Sequence, residues 1–154
     1  MDNNGTLEII AGNDDGNLHV LNHQGLETAF FDTGDDIRGG ISIADLDDDG
    51  SLELLFVGYD DMIHVWNPIR DEELEGWPIN MGDNSLSGPV LADLDNDGDY
   101  ELVFGTTQGL QVIDIKSEKG SRGSWKLYRG NLHRSGLYNH SLLLLLNQYQ
   151  HFHL

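Results

Sequence analysis

The segment Ile43-Ala44-Asp45-Leu46-Asp47-Asp48-Asp49-Gly50-Ser51-Leu52-Glu53-Leu54 recurs 48 residues later as Leu91-Ala92-Asp93-Leu94-Asp95-Asn96-Asp97-Gly98-Asp99-Tyr100-Glu101-Leu102. An internal repeat at fixed period constrains a fold more than composition does, because each copy must be one supersecondary unit packed on the next. A third copy, Asp2-Asn3-Asn4-Gly5-Thr6-Leu7-Glu8-Ile9, aligns with Asp47 to Leu54 at a period of 45. It begins at the third loop position, so a chain trimmed from something longer is expected.

Each loop is followed by the same succession. A short apolar run ending in Gly comes first: Ile9–Gly12, Leu54–Gly58 and Leu102–Gly105, with one extra residue before Gly58 in the second copy. A polar turn follows, then an alternating segment: Leu18–Asn22, Ile63–Asn67 and Leu110–Asp114. Period-two alternation bounded by Gly, Asn and Asp predicts half-buried strands, and the intervening turns carry residues suited to positive φ. Further edge strands are expected around Thr28–Phe31 and Trp77–Met81. Four short antiparallel strands per 45 to 48 residues is the repeat of a β-propeller blade. The predicted fold is therefore all-β, with about three repeats of a partial propeller. Repeats are expected over residues 1–138, with breaks near 34–40 and 82–88 and a terminal segment at 115–138, followed by a tail at 139–154.

The loop reads D-x-D-x-D-G-x-x-E, with carboxylates at positions 1, 3, 5 and 9 and Gly at position 6. Neighbouring carboxylates at ~4 Å repel by ~1 kcal/mol in water and ~4 near a protein surface, so closing such a loop asks for a cation. Calcium takes about six to eight hard oxygen ligands in a flexible arrangement, which alternate Asp side chains on a tight turn can supply. An EF-hand would need Glu at position 12 between two helices. Position 12 is Phe56 in one loop and Phe104 in the other, and strands flank both. Solvated acidic turns that bind nothing would not account for the shared alternation and the matching Gly.

These loops resemble those of FG-GAP and VCBS-type repeats, the integrin-like calcium-binding β-propellers, over about residues 2–114. The phenylalanine-glycine signature of that family is present only as Phe104-Gly105. The resemblance implies one calcium held by Asp45, Asp47, Asp49 and Glu53 with the Ser51 carbonyl. It implies a second held by Asp93, Asp95, Asp97 and Glu101 with the Asp99 carbonyl. The first copy keeps only Asp2, Asn4 and Glu8, an incomplete third site. Glu75-Gly76-Trp77-Pro78 is similar to a step between blades in bacterial secreted members, and Trp125 to Gly136 is similar to a segment that ends such propellers.

Charge excludes some partners. The net charge is −19, and 26 of 27 acidic residues lie in residues 1–115, where Arg38 and Arg70 are the only basic ones. Phosphate backbones and anionic lipid surfaces would be repelled, so neither nucleic acid nor membrane insertion is expected. Residues 116–154 carry six basic residues and one acid, so this end could clamp an acidic face. With no Cys there is no disulfide framework and no thiolate metal site. Met1 to Gly5 does not read as a secretory leader, and the longest apolar run, Leu142–Leu146, is too short to span a bilayer.

His19 and His64 occupy one repeat position, held by Gln111 in the third copy, and alternation predicts a polar sheet face there. Trp66, Trp77 and Trp125 either fill the space between sheets or line a carbohydrate groove. No G-x-S-x-G elbow, P-loop or dinucleotide fingerprint is present, so no catalytic residue is singled out. The resemblance implies a calcium-stabilised binding or adhesion module of an extracellular or cell-surface protein, with a protein or glycan ligand. The alternative is a non-catalytic scaffold of a secreted polysaccharide lyase or hydrolase. Three repeats leave apolar faces open, so a homo-oligomer completing the propeller is expected, with Leu142–Leu146 as a candidate pairing strand.

Overall fold

The computed structural model describes residues 4–116 and 122–125. Twelve strands, and no helix among these residues, form three antiparallel sheets. In chain order they are β1 (Ile9–Gly12), β2 (Asn17–Leu21), β3 (Glu27–Asp32), β4 (Ser42–Asp45), β5 (Glu53–Val57) and β6 (Met62–Asn67). Then follow β7 (Glu72–Glu73), β8 (Ile79–Asn80), β9 (Val90–Ala92), β10 (Tyr100–Thr106), β11 (Gly109–Ile115) and β12 (Arg122–Trp125).

The first sheet has the order β1-β2-β3, and the third has β11-β10-β9. The second is β12-β4-β5-β6-β7, with β8 also on β6. Pro78, which lacks a backbone donor, sits inside the edge segment expected at Trp77–Met81, and only Ile79–Asn80 forms ladder there. The Glu72–Glu73 pair with Asn67 and Trp66 supplies the other edge rung.

Sequence repetition becomes repetition of register. Ile9 pairs with Leu21, Leu54 with Trp66 and Leu102 with Ile113. At the far end of the same hairpins Gly12 faces Leu18, Val57 faces Ile63 and Gly105 faces Leu110. Val57 therefore takes the place of Gly12, and β5 carries no inserted residue. The hairpin lengths differ at the turn instead, which is one residue shorter in the third sheet than in the other two.

The sheets pack face on face. Leu54, Phe56 and Trp66 of the second sheet are buried with Leu18 and Val20 of the first and with Ile37 of the segment joining them. The alternate residues Leu55, Val57, Ile63 and Val65 are buried with Leu91, Leu102 and Phe104 of the third. The second sheet is thus apolar on both faces, as its unbroken burial through β5 records. Where the second and third sheets begin, Gly40 and Gly88 touch: a Cβ on Gly88 would lie 2.6 Å from the Gly40 Cα. These two glycines are 48 residues apart, so equivalent points of consecutive repeats meet there.

No helix among the described residues is long and apolar enough to cross a membrane. Of the expected terminal segment, only Arg122–Trp125 is described beyond Lys116, as the strand beside β4. Leu142–Leu146 and the rest of the tail lie outside the described residues, as does Asp2.

Candidate metal centre

Each complete acidic loop joins the first two strands of its sheet, β4 to β5 and β9 to β10. The turn is drawn tight by residues in the left-handed region at matching positions: Asp48 (φ 54°) and Gly50 (φ 89°), then Asn96 (φ 63°) and Gly98 (φ 103°). Asp and Asn tolerate that region better than most side chains, and Gly without cost. Gly5, at the corresponding place in the first copy, has φ 83°.

Side chains then tie down the loop amides. The carboxylate at position 3 accepts from the amide at position 5: Asp49 N to Asp47 Oδ1 at 3.2 Å, and Asp97 N to Asp95 Oδ1 at 3.2 Å. Position 5 accepts from position 7: Ser51 N to Asp49 Oδ1 at 2.7 Å, and Asp99 N to Asp97 Oδ1 at 3.2 Å. Thr6 N to Asn4 Oδ1 at 2.8 Å is the same bond in the first copy. In the second sheet Asp45 also accepts from the amides of Asp49 and Gly50, each at 3.1 Å.

The Glu at position 9 closes the loop from the strand side. Glu53 Oε2 accepts from the Leu46 amide at 2.9 Å, and Glu101 Oε2 accepts from the Leu94 amide. Both glutamates are buried. Their other oxygens differ in environment. Asn67 donates to Glu53 Oε1 at 3.0 Å, whereas Glu101 Oε1 is buried with no hydrogen-bond partner. An ionised carboxylate oxygen in that state costs far more than a solvated one unless a cation approaches it.

Three carboxylates converge in each loop. Oxygens of Asp45, Asp47 and Glu53 all lie within 4.8 Å of one another, and so do oxygens of Asp93, Asp95 and Glu101. These are positions 1, 3 and 9, and all the donors are hard oxygens of the kind Ca²⁺ prefers. The position-5 residues are not in either group. Asp49 is ion-paired with Arg70, and Asp97 with Lys116 at 2.8 Å. Ser51 and Asp99 enter through their amides, which the position-5 carboxylates hold.

Without a cation the second-sheet cluster is electrostatically strained. Burial pushes the Glu53 carboxyl up to about 7, with Asp47 and Asp45 adding to the rise and the Leu46 amide and Asn67 opposing it. Burial also raises Asp45, helped by Asp48 and Asp47. In the third sheet, Lys116 holds Asp97 below the usual carboxylate range.

Three participants escape a reading of the loop motif alone. Asn67 and Asp114 stand at the same place in their repeats, opposite the position-9 Glu, and a column through the aligned copies would have exposed the pair. Arg70 is the third, and its partner Asp49 lies in the adjoining loop. His64 corrects the expectation of a polar face. It is buried against the first sheet, stacked on Phe56 at 5.0 Å and edge-on to Phe31, with Nδ1 on Glu73 and Nε2 on Asp60. The equivalent His19 remains half-buried, beside Glu27.

The tryptophans divide. Trp66 is fully buried between the first and second sheets and fills space. Trp77 lines a groove between the second and third sheets with Leu74, Ile79 and Ile113, and Asp47 of the acidic loop stands at its rim. The Trp125 side chain lies outside the described residues.

No family model matches the chain, and a search of curated proteins returns no match.

Proposed function

We propose that the chain is a calcium-stabilised β-propeller module of the FG-GAP or VCBS type, with the three sheets as successive blades. The observation that carries the calcium assignment is the paired geometry of the loops. Twice, three carboxylates converge on a turn whose amides are already tied down, and in the second instance a buried carboxylate oxygen has no partner. Asp45, Asp47 and Glu53 would hold one ion, and Asp93, Asp95 and Glu101 the other. Asp49 and Asp97 join as further ligands by exchanging Arg70 and Lys116 for the cation, and the Ser51 and Asp99 carbonyls complete the sets. The incomplete copy at Asn4 and Glu8 is left without an ion of its own.

The ion's role is structural. It neutralises each loop and fixes the turn joining two strands, while other surfaces meet a protein or glycan. The groove beside Trp77 suits such a ligand, since an aromatic face packs on apolar sugar or side-chain surface and Glu75, which also lines it, supplies an acceptor. An extracellular or cell-surface setting belongs to this reading, since extracellular modules bind calcium at roughly 10⁻⁴ to 10⁻³ M. A non-catalytic scaffold attached to a secreted lyase or hydrolase uses the same chemistry.

Calorimetric titration of the chelator-stripped chain tests the assignment. Two calcium ions bind per chain and magnesium binds far more weakly; Glu101→Gln removes one of the two. A titration with no calcium heat, or unchanged stoichiometry in E101Q, overturns it.

A further inference from the structure

Asn4-Gly5 occupies positions 5 and 6 of the first loop copy, where the complete loops carry Asp49-Gly50 and Asp97-Gly98, and it is the only Asn-Gly pair in the 154 residues. All six of these residues are exposed, so the exposure of Asn4 and Gly5 is a property of the loop that recurs in every copy.

One hydrogen bond recurs with it. The amide at position 7 donates to the side chain at position 5 in each copy, here Thr6 N to Asn4 Oδ1 at 2.8 Å. Thr6 Oγ1 donates to the same oxygen. Two donors on one carbonyl oxygen draw electron density from Asn4 Cγ and stabilise the oxyanion that forms when a nucleophile adds there. The nucleophile is next in the chain. Gly5 has no Cβ to shield its amide nitrogen, nothing lies within 4 Å of where one would stand, and glycine backbone turns freely. Asn13 and Asn22 also accept from the amide two residues on, but Asp14 and His23 follow them. Asp49 and Asp97 precede glycine, but they are ion-paired carboxylates and therefore poor electrophiles.

We propose that Asn4 is a site of spontaneous deamidation, driven by attack of the Gly5 amide nitrogen on the Asn4 side chain. Deprotonated by hydroxide, that nitrogen bonds to Cγ, the Cγ–Nδ2 bond breaks, and ammonia leaves with a proton taken from water. Water then opens the cyclic imide at either carbonyl. Opening at Cγ gives Asp, which supplies the position-5 carboxylate of the other two copies. Opening at the main-chain carbonyl gives isoaspartate, with the chain rerouted through Cβ. Either product adds one negative charge. This inference rests on the Asn-Gly step and its donors, independently of whether the loops bind calcium.

Fragment-ion mass mapping and ion-exchange chromatography of the full chain, aged at mildly alkaline pH, read the reaction directly. Asn4 exchanges NH2 for OH faster than Asn13 or Asn22, as a mixture of Asp and isoaspartate, and the rate rises with pH. Asn4→Gln and Gly5→Ala each suppress the early acidic form on the column. Thr6→Val slows its appearance by roughly 2- to 10-fold, the worth of one hydrogen bond. An Asn4 that deamidates no faster than Asn13 and Asn22 overturns the proposal, as does a Gly5→Ala chain that ages at the wild-type rate. An unchanged rate in T6V overturns the part given to the Thr6 hydroxyl.

Discussion

The side-chain amide of Asn67 donates to Oε1 of Glu53 at 3.0 Å, and the residue opposite Glu101 at the same place in the third sheet is Asp114. An aspartate has no donor to offer, so Glu101 Oε1 is left buried and unpartnered while Asp114 turns to Lys116 at 2.8 Å. This amide-for-carboxylate difference is one of several between the two loops, since Asp45 also accepts two loop amides in the second sheet.

Replacing Asp114 by Asn restores the missing donor. In chelator, urea unfolding shows Asp114→Asn stabilised by about 1 kcal/mol, the usual net worth of a hydrogen bond that rescues a buried acceptor. The Lys116 ion pair it sacrifices is exposed and contributes little. The gain shrinks in calcium, where the ion partners that oxygen. Equal stability of variant and wild type in chelator contradicts the account.

Glu53 makes the stripped protein pH-sensitive. Burial raises its carboxyl from 4.5 to about 7, so the folded state holds this proton more tightly than the unfolded chain does. Protonation therefore favours the fold, and stability falls as pH rises from about 5 to about 8, by up to roughly 3 kcal/mol. Calcium binding requires the ionised form, so apparent affinity weakens as pH drops through 7. Chelator-treated protein with flat stability over that range would show that Glu53 ionises freely.

His64 acts in the same direction by a different route. Burial works against its charge, but hydrogen bonds to Glu73 and Asp60 outweigh it and raise its pKa above 6.5. The stabilisation is complete below the unfolded value and is lost as pH rises through the folded one. In calcium-saturated protein, where Glu53 no longer titrates, His64→Gln flattens the remaining loss of stability above neutrality. An unchanged slope in H64Q assigns that loss to another group.

Arg70 is ion-paired with Asp49 and Lys116 with Asp97, so on the proposed calcium assignment each basic side chain would compete with a cation for its aspartate. Lys116→Ala tightens the third-sheet site and Arg70→Ala the second-sheet site, each by a few-fold, since an exposed ion pair is worth about 0.2–1 kcal/mol. Calcium titrations of the two variants check this site by site. Weakened binding in either would make the basic side chain a helper of the loop rather than a rival for it.

The acidic loops and the strands around them were legible because they are local. Alternation in Leu18–Asn22 and Ile63–Asn67, with Gly50 and Gly98 at the turns, reports strand, turn and carboxylate spacing within a few residues. Partners brought in by pairing across a hairpin were not legible from one loop: Asn67 lies 14 residues from Glu53, and Arg70 lies 21 from Asp49. His64 fits a polar alternating position by periodicity, yet stacking on Phe56 and contact with Phe31 of the preceding sheet bury it. Periodicity assigns a side chain to a face, and only the stacking of sheets decides whether that face meets water.

The most direct test of the calcium assignment is the thermal unfolding midpoint in calcium, in chelator and in magnesium. A ligand bound only by the folded state stabilises by about 2.7 kcal/mol per site at a hundredfold excess over its dissociation constant. The midpoint should climb with calcium concentration and respond far less to magnesium. An identical midpoint in calcium and in chelator would mean that Asp45, Asp47 and Glu53, and their counterparts Asp93, Asp95 and Glu101, form acidic turns without an ion.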